Sequence, residues 1–290
     1  MTQPSNTSEG TGLSEAAFAR ISALAKAEAG LVLPVSKRTM VQSRLRHRMT
    51  ALGLPSYDDY AKFVGSDAGE TERRHMISAL TTNVSHFFRE KHHIFRDQAL
   101  PALQSKARSG QPIRIWSAGC SSGQEPYSIA MLLSEAAPDL VAKDLLILAT
   151  DIDPNILEKA EAGHYSDQQI AGIPDAMRAK FLRPAGSEHA VVPALKRLIR
   201  FRELNLLRDW PMRTRFDVIF CRNVVIYFDT ATQNTLWPRF EAALAPEGWF
   251  FLGHSERVSD STATSFVSVG MTAYRTRGGL QVARPTVKEA

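Results

Sequence analysis

RIWSAGCSSGQEPYSIA, residues 114–130, is the stretch that decides the fold class of this 290-residue chain. It begins with a short apolar run, passes through a turn of small residues between Gly119 and Gly123, and continues with a helical pattern. Glycine permits a positive φ and, because it lacks a side chain, lets another group approach the main chain closely. The stretch therefore predicts a strand, a tight turn that contacts a ligand, and a helix.

Short apolar runs alternate with helical patterns on the C-terminal side of this turn. The runs that we predict to be strands are IRIWSAG, LLILATD, FDVIFCRN and GWFFLGH. Strands that alternate with helices form a mostly parallel sheet covered on both faces, and ligands bind at the carboxyl ends of its strands. SFVSVGMTAYRT near the C-terminus predicts a final antiparallel hairpin. We therefore expect an α/β domain.

Helical spacing of apolar residues prevails on the N-terminal side of the turn. Two predicted helices end at Gly30 and Gly53, which are suitable C-caps, and SHFFREKHHIFRDQALPALQSKARSG predicts a long helix interrupted near Pro101. Within the α/β domain, prolines and the strand-like segments AVVP and LIRFREL predict a small inserted β-subdomain. The predicted organisation is a disordered tail (1–12), a helical bundle domain (13–85), a linker helix (86–111), the α/β domain (112–277) with its insert (about 164–202), and a C-terminal tail (278–290).

The composition is that of an ordinary globular protein with a modest positive charge. A net charge of +5 and a pI near 9.3 fit an acidic macromolecular partner, but they fit equally a protein that binds nothing charged. The two cysteines, Cys120 and Cys221, imply no disulfide framework. Because the chain shows neither a signal-peptide pattern nor an apolar run long enough for a bilayer, we expect a cytoplasmic protein without membrane insertion. The sequence does not determine the oligomeric state, and we take a monomer as the default.

Two acidic residues beside the glycine turn indicate the kind of ligand. Asp151 ends the predicted strand LLILATD, where a carboxylate can accept hydrogen bonds from ribose hydroxyls, and Glu125 follows the turn. Two carboxylates repel a phosphate-rich cofactor and attract a cationic one. The turn also departs from G-x-G-x-x-G, and the chain has no G-x-x-x-x-G-K-[ST] loop. S-adenosylmethionine carries a ribose, an ammonium and a sulfonium, so it suits this site better than NAD or ATP.

Two further strand ends carry residues suited to binding. In ELNLL, Asn205 and Leu206 can bracket an adenine with an amide and an apolar side chain. FDVIFCRNVVIYF ends a buried strand in Arg222 and Asn223, with Tyr227 one turn later. Nothing structural requires an arginine and an asparagine directly after a buried strand, which favours a binding function. Two roles stay open for Tyr227: its side chain either packs in the sheet or lies in the catalytic pocket.

Five segments follow one another along the chain: TTNVSHFFRE, IWSAGCSSGQEPYSIAM, ATDIDPNILEKAEAGHY, FDVIFCRNVVIYFD and GWFFLGHSE. In order and spacing they resemble the motifs of the chemotaxis receptor methyltransferases, the CheR family. The resemblance implies an N-terminal helical domain and a Rossmann-like, S-adenosylmethionine-dependent domain with an inserted β-subdomain. It also implies methyl transfer to glutamate side-chain carboxylates of chemoreceptor cytoplasmic domains, which gives glutamate methyl esters and S-adenosylhomocysteine.

The resemblance assigns site residues by motif. The implied cofactor contacts are Asn83, Ser85, Arg89, Glu125, Asp151, Asn205, Leu206, Arg222 and Asn223. Ser85 stands where family members often have threonine, and it keeps the hydroxyl. A glutamate is ionised near neutral pH, so the nucleophile needs no general base and positioning is the main demand. We predict two catalytic residues: Arg89, which orients the cofactor or the incoming carboxylate, and Tyr227, which hydrogen-bonds near the transferring methyl group.

Two regions are candidates for substrate choice. Lys37, Arg44 and Arg48 share one stripe of a predicted helix, which is either a solvated face or a docking site for acidic receptor helices. In some family members the inserted subdomain holds a receptor C-terminal peptide with a glycine-rich loop. The corresponding stretch here, FLRPAGSEHAVVPALKRLIRF, has only Gly186. We therefore expect no dependence on such a peptide.

Other functions stay open as alternatives. A nucleic-acid methyltransferase fits the basic pI, but the chain has neither a Pro-Cys nucleophile nor an Asn/Asp-Pro-Pro-Tyr segment, so we expect no nucleic-acid partner. A non-catalytic module that retained the fold is disfavoured because all the pocket residues are present. His86, His92 and His93 lack a completing cysteine or carboxylate set, so we expect no metal site.

Overall fold

A computed structural model of the chain describes residues 12–90, 95–259 and 264–278, so most of both predicted tails lies outside the described residues. Internal contacts divide the chain into two compact units. The first unit consists of residues 1–82 and 227–229, and the second consists of residues 83–226 and 230–290. Among the described residues, no helix combines the length and the apolar character that crossing a membrane requires.

The first unit is a helical bundle. Its helices are α1 (Glu15–Ala29), α2 (Arg38–Ala51), α3 (Tyr57–Gly65) and α4 (Glu70–Leu80). Ser14 caps α1 by accepting the Ala17 N–H at 3.0 Å, and Gly30 ends the helix in the left-handed region at φ 69°. Apolar side chains such as Ile21 and Val41 are fully buried between the helices. The predicted helical domain and the cap at Gly30 are therefore confirmed.

The second unit contains a seven-stranded sheet. Its strands, in chain order, are β1 (Ile113–Ala118), β2 (Leu145–Asp151), β6 (Ile199–Glu203), β7 (Phe216–Cys221), β8 (Leu244–Leu252), β9 (Phe266–Gly270) and β10 (Ala273–Thr276). The spatial order is β6-β2-β1-β7-β8-β10-β9, and the first five strands are parallel. β10 runs antiparallel to β8 and β9. This architecture confirms the predicted Rossmann-like sheet and its C-terminal hairpin.

Helices connect and cover the strands of this sheet. They are α5 (Leu100–Arg108), α6 (Gln124–Ala136), α7 (Pro138–Val141), α8 (Pro154–Ala162), α9 (Asp167–Ile170), α10 (Asp175–Phe181), α11 (Pro193–Lys196) and α12 (Thr230–Ala243). β7 is buried along its whole length, because neighbouring strands flank it and helices cover the sheet. The hydrophobic core of the unit therefore lies between the sheet and its covering helices.

The predicted linker helix over residues 86–111 is only partly present. A π-helical turn begins at Phe95 and leads into α5, with Pro101 in the first turn, where its missing N–H costs nothing. Residues 83–90 are irregular instead of helical, and Phe88 and Glu90 have positive φ angles of 53° and 56°. We call residues 83–90 the strap. The strap and α5 belong to the second unit, and Phe87, Leu100 and Leu103 are buried in its hydrophobic core.

The inserted subdomain is smaller than predicted. It contains a separate antiparallel sheet in the order β3-β5-β4, formed by β3 (His164–Tyr165), β4 (Leu182–Ala185) and β5 (Glu188–Val191). The segment LIRFREL does not belong to it, and its assignment to the insert was wrong. Ile199 and Phe201 point into the core, and the strand pairs with β2 as the edge of the large sheet.

Candidate functional site

The candidate site lies where the parallel strands end. Residues that follow β1, β2, β6, β7 and β8 share one edge of the sheet, because parallel strands have their carboxyl ends on the same side. From β1 the chain continues to β2 on one side of it, and β7 pairs on the other side. Such a reversal of strand order opens a crevice at the carboxyl ends. The glycine turn after β1 lies at this position.

The two turn glycines pack closely against protein side chains. Gly119 and Gly123 have φ angles of 82° and 90°, which favour glycine. A Cβ at Gly119 would lie 2.3 Å from Cγ2 of Val224, and one at Gly123 would lie 2.9 Å from the hydroxyl of Tyr165. Close packing inside the protein therefore requires glycine at both positions. Contact between a ligand and the main chain of this turn stays a prediction.

Asp151 fastens this turn to β2. Its buried carboxylate accepts the Ser121 N–H at 2.8 Å and the Asp153 N–H at 3.1 Å. Burial raises the pKa of Asp151 to about 6, although these N–H groups act in the opposite direction. Asp153 in turn accepts a hydrogen bond from Asn83 Nδ2 at 2.9 Å. Hydrogen bonds thus connect Asp151, Asp153 and Asn83 at this edge of the sheet.

Glu125 belongs to a buried ionic cluster that we call the Arg222 cluster: Glu90, Glu125 and Arg222. Arg222 donates Nε and Nη2 to Glu90 Oε2 at 3.2 and 3.1 Å, and Nη1 to Glu125 Oε2 at 3.4 Å. Its Nη2 also donates to the Arg89 carbonyl at 2.5 Å. The other oxygen of Glu125 accepts the Ser117 hydroxyl at 2.7 Å. Arg222, directly after β7, therefore ties the strap to the first turn of α6, and Glu125 continues the connection to Ser117 of β1.

The charge balance of this cluster favours a cationic ligand. Burial raises the pKa of Glu125, and Arg222 opposes that rise. The cluster holds one cation against two carboxylates, and Asp151 adds a third carboxylate at the same sheet edge. The edge therefore carries excess negative charge when these groups are ionised.

Glu256 is a site residue that the sequence did not single out. It is buried after β8 and accepts four backbone N–H groups, two of them from Asn223 and Val224. Asn223 has a left-handed backbone with φ 60°. The side-chain oxygen Oδ1 of Asn223 is buried and has no hydrogen-bond partner among the described residues. The motif GHSE held the only signal for Glu256, because its partners are main-chain groups.

The remaining predicted cofactor residues lie in the second unit with different surroundings. Shortly after β6, Asn205 accepts the Leu207 N–H at 2.9 Å, and the next residue, Leu206, is buried. Arg89 is exposed and donates to the Val84 carbonyl at 3.1 Å. Ser85 is half-buried in the strap. Their cofactor contacts stay predictions.

Tyr227 belongs to the first unit, whereas the predicted cofactor residues belong to the second. Its carbonyl accepts the Val32 N–H at 2.9 Å, and Lys26 pairs with the nearby Asp229 at 2.7 Å. Its side chain is half-buried. The predicted role of Tyr227 beside the transferring methyl group stays a prediction.

The basic stripe of the first unit is mostly engaged inside that unit. Arg48 donates Nε and Nη2 to the buried Glu72 at 3.0 and 2.5 Å. Arg44 donates to the last carbonyl of α4 and to the next one, both at 2.8 Å. Lys37 is exposed in a short 3-10 turn before α2. Of the three predicted docking residues, Lys37 is exposed, whereas Arg44 and Arg48 are half-buried.

The hydrogen-bonding character of the sheet edge fits S-adenosylmethionine. The ammonium, the ribose hydroxyls and the adenine amino group of this molecule are all hydrogen-bond donors. The edge offers acceptors: the carboxylates of Asp151 and Glu125, and the unpartnered Oδ1 of Asn223. Within the described residues no cluster of His, Cys, Asp or Glu could hold a metal ion, and His92 and His93 lie outside those residues.

Comparison with known proteins gives matches along nearly the whole chain. Residues 16–81 match the family described as CheR methyltransferase, all-alpha domain, and residues 83–275 match that described as CheR methyltransferase, SAM binding domain. A probable chemotaxis protein methyltransferase of Rhizobium etli is 46% identical over 254 residues, which cover 86% of this chain and 95% of the relative. The chemotaxis protein methyltransferase of Escherichia coli strain K12 is 39% identical over 271 residues, 92% of each chain.

Proposed function

Because the chain belongs to the CheR family of S-adenosylmethionine-dependent chemotaxis methyltransferases, we propose that it methylates specific glutamate side chains of chemoreceptors. The products are the glutamate methyl ester and S-adenosylhomocysteine. The observation that carries the proposal is the acceptor-rich sheet edge formed by Asp151, Glu125 and Asn223, which attracts a cationic methyl donor.

A carboxylate as the methyl acceptor suits the groups at this edge of the sheet. A glutamate is already ionised near neutral pH and needs no general base. The carboxylates of the edge are committed to other groups: Glu125 to Ser117 and Arg222, and Asp151 to two main-chain N–H groups. A site without a dedicated base suits a nucleophile that arrives deprotonated.

We assign the following work to the residues of this chain. S-adenosylmethionine supplies an electrophilic methyl group on a sulfonium. Asp151 accepts hydrogen bonds from the ribose, and Glu125 and Asn223 accept from the ammonium end. Arg89 orients the incoming carboxylate, and Tyr227 hydrogen-bonds near the methyl carbon. Correct orientation of two reactants can lower a barrier by as much as roughly 7 to 11 kcal/mol.

The proposed partners are the acidic methylation helices of chemoreceptor cytoplasmic domains. The exposed Lys37 gives the first unit a positive group that can attract such a helix. In the inserted subdomain, β4 and β5 are joined by only Gly186 and Ser187, so this chain has no long loop there to hold a peptide. We therefore propose that methylation does not require a receptor C-terminal peptide.

The test is transfer of a labelled methyl group to a purified receptor cytoplasmic domain, followed by mild alkali. We expect label on the receptor and its release as methanol, because carboxyl esters hydrolyse readily. D151N should transfer little label. The matched control D144N changes an exposed aspartate of the same unit and should transfer normally. Label that resists alkali, or no transfer to several receptors despite tight cofactor binding, would refute the proposed acceptor.

A further inference from the structure

Glu256 is a buried carboxylate to which the proposed mechanism gives no role. It is 2% exposed and accepts N–H groups at both carboxylate oxygens. Oε2 accepts from Gly253 at 2.7 Å and Asn223 at 2.8 Å, and Oε1 accepts from Val224 at 2.9 Å and Ile226 at 3.3 Å. Charge-assisted bonds of this kind are about twice as strong as neutral ones.

These four N–H groups belong to the two segments that leave β7 and β8. The segment after β7, residues 222–226, carries the site residues Arg222 and Asn223. Its N–H groups at Asn223 and Val224 bond to Glu256 and not to a neighbouring strand. Buried N–H groups without a partner are costly, so the carboxylate is what lets this segment take its path.

The path matters because it sets the orientation of Asn223. Its φ of 60° is uncommon for a residue other than glycine, and the hydrogen bond to Glu256 holds it there. Gly253 completes the arrangement, since a Cβ there would lie 2.7 Å from Glu256 Oε2 and 2.9 Å from Asn223 Nδ2. The buried Oδ1 of Asn223 is left as an acceptor without a partner among the described residues.

We infer that Glu256 is a positioning residue for cofactor binding: its carboxylate holds residues 222–226 so that Asn223 presents Oδ1 to a hydrogen-bond donor of S-adenosylmethionine. Glu256 touches neither cofactor nor substrate in this role. The inference concerns affinity for the cofactor and does not depend on the identity of the methyl acceptor. A measurement of cofactor binding can therefore contradict the inference without affecting the proposed receptor methylation. Failure of receptor methylation likewise leaves the inference intact.

The test is the affinity of E256Q for S-adenosylhomocysteine, measured by calorimetry. Glutamine replaces one accepting oxygen by an NH₂ group that faces two N–H donors, so the segment after β7 must rearrange. We expect affinity at least tenfold weaker in a protein that remains folded at the temperature of the measurement. E256D keeps the charge on a shorter side chain and should restore part of that affinity.

The control separates positioning from general stability. Glu72 is 4% exposed in the first unit and binds Arg48 and Tyr60, so E72Q also removes a buried carboxylate. We expect E72Q to lower the melting temperature without changing cofactor affinity. In steady-state kinetics, E256Q should raise the KM for S-adenosylmethionine more than the KM for the receptor. In E256Q, amide hydrogen exchange at Asn223 and Val224 should be faster than in the wild type. The increase in the strands should be smaller.

A second variant covers the case in which E256Q does not fold. G253A keeps Glu256 but places a methyl group against its Oε2 and against Asn223. We expect weaker binding of S-adenosylhomocysteine, by several-fold or more. Unchanged affinity in a folded E256Q, or in G253A if E256Q does not fold, overturns the inference.

Discussion

The carboxylate of Asp151 lies at the end of β2 in a buried setting that changes its acidity. Burial raises its pKa from an ordinary value of 3.8 to about 6, so the folded chain holds this proton more tightly than the unfolded chain. Its contribution to stability is therefore full below about pH 4 and is lost as the pH rises through about 6. A ligand that donates hydrogen bonds to the ionised group reverses this preference.

From that acidity we predict a pH-dependent affinity for S-adenosylhomocysteine. The affinity should fall as the pH drops below about 6, approaching tenfold per pH unit, because the ligand then competes with a proton. D151N should bind more weakly at neutral pH and show a flatter profile between about pH 5 and 7. Calorimetry across this range decides the matter. A wild-type profile as flat as that of D151N would contradict the assignment of Asp151 to the cofactor site.

Arg222 is the cation on which two buried carboxylates depend. Its side chain is 7% exposed, and those of Glu90 and Glu125 are 10% and 15% exposed. R222M would leave both carboxylates buried without their cation, and loss of one partner of a buried pair costs about 3–5 kcal/mol. We therefore predict a lower free energy of unfolding for R222M, measured by urea denaturation.

The control for this prediction is R96M. Arg96 pairs with Asp97 at 3.1 Å in the same unit, and both side chains are 58% exposed. Surface pairs contribute little, so R96M should leave the unfolding midpoint almost unchanged. Equal effects of the two variants would mean that the Arg222 cluster is not a buried ionic network.

At the scale of elements, α2 is held to α4 by the contact between Arg48 and Glu72. Arg48 is 25% exposed, Glu72 is 5% exposed, and the hydroxyl of Tyr60 donates to the same carboxylate at 2.9 Å. We predict that R48A lowers the stability of the helical unit by about 2 kcal/mol, because it leaves a buried carboxylate with one neutral partner. Thermal unfolding of the purified chain measures the effect, and R46A, which changes an exposed residue of the same helix, is its control.

The hairpin formed by β4 and β5 leads to a separate prediction. Its turn is only Gly186 and Ser187, with Gly186 at φ 65°, and β4 contains Pro184, which has no N–H for pairing with an added strand. Calorimetric titration with receptor C-terminal peptides should therefore give no binding signal. Heat of binding with a defined stoichiometry would contradict the prediction.

The elements differ in how far the sequence determines them. The apolar runs of β1, β2, β7 and β8 identify central strands, because buried strands need apolar residues on both faces. β6 alternates arginine with apolar residues, as an edge strand does, and was therefore misassigned to the insert. Residues 86–90 of the strap were predicted as the start of the linker helix, and they contain neither glycine nor proline. Tertiary bonds, such as that from the Phe88 N–H to Ser128, decide its irregular path.

The same distinction applies to the candidate site. Asp151 and Glu125 could be proposed from the sequence because each stands at a boundary between predicted elements. Glu256 could not be proposed from the sequence, because Asn223 and Val224 of another segment bind it through their main-chain N–H groups. Side-chain composition does not indicate such bonds. The glycine turn was recognised for its conformation, but what fills its open Cα positions depends on Val224 and Tyr165.

For the whole molecule, a net charge of +5 and an exposed Lys37 predict salt-sensitive encounter with an acidic receptor. Raising the ionic strength should lower kcat/KM for the receptor, because screening weakens attraction between exposed charges. K37E should lower kcat/KM at low salt, by a few-fold, and reduce this salt dependence. Rate measurements at several salt concentrations test both expectations. If K37E matches the wild type throughout, Lys37 is only solvated surface.

The first unit is discontinuous, since residues 227–229 belong to it together with residues 1–82. Val32 bonds to the carbonyl of Tyr227, and Lys26 pairs with Asp229. During synthesis the ribosome makes residues 1–82 long before residue 227 exists. The helices of the first unit can therefore begin to form early on the nascent chain, but the unit acquires its last contacts only after almost four-fifths of the polypeptide has been translated.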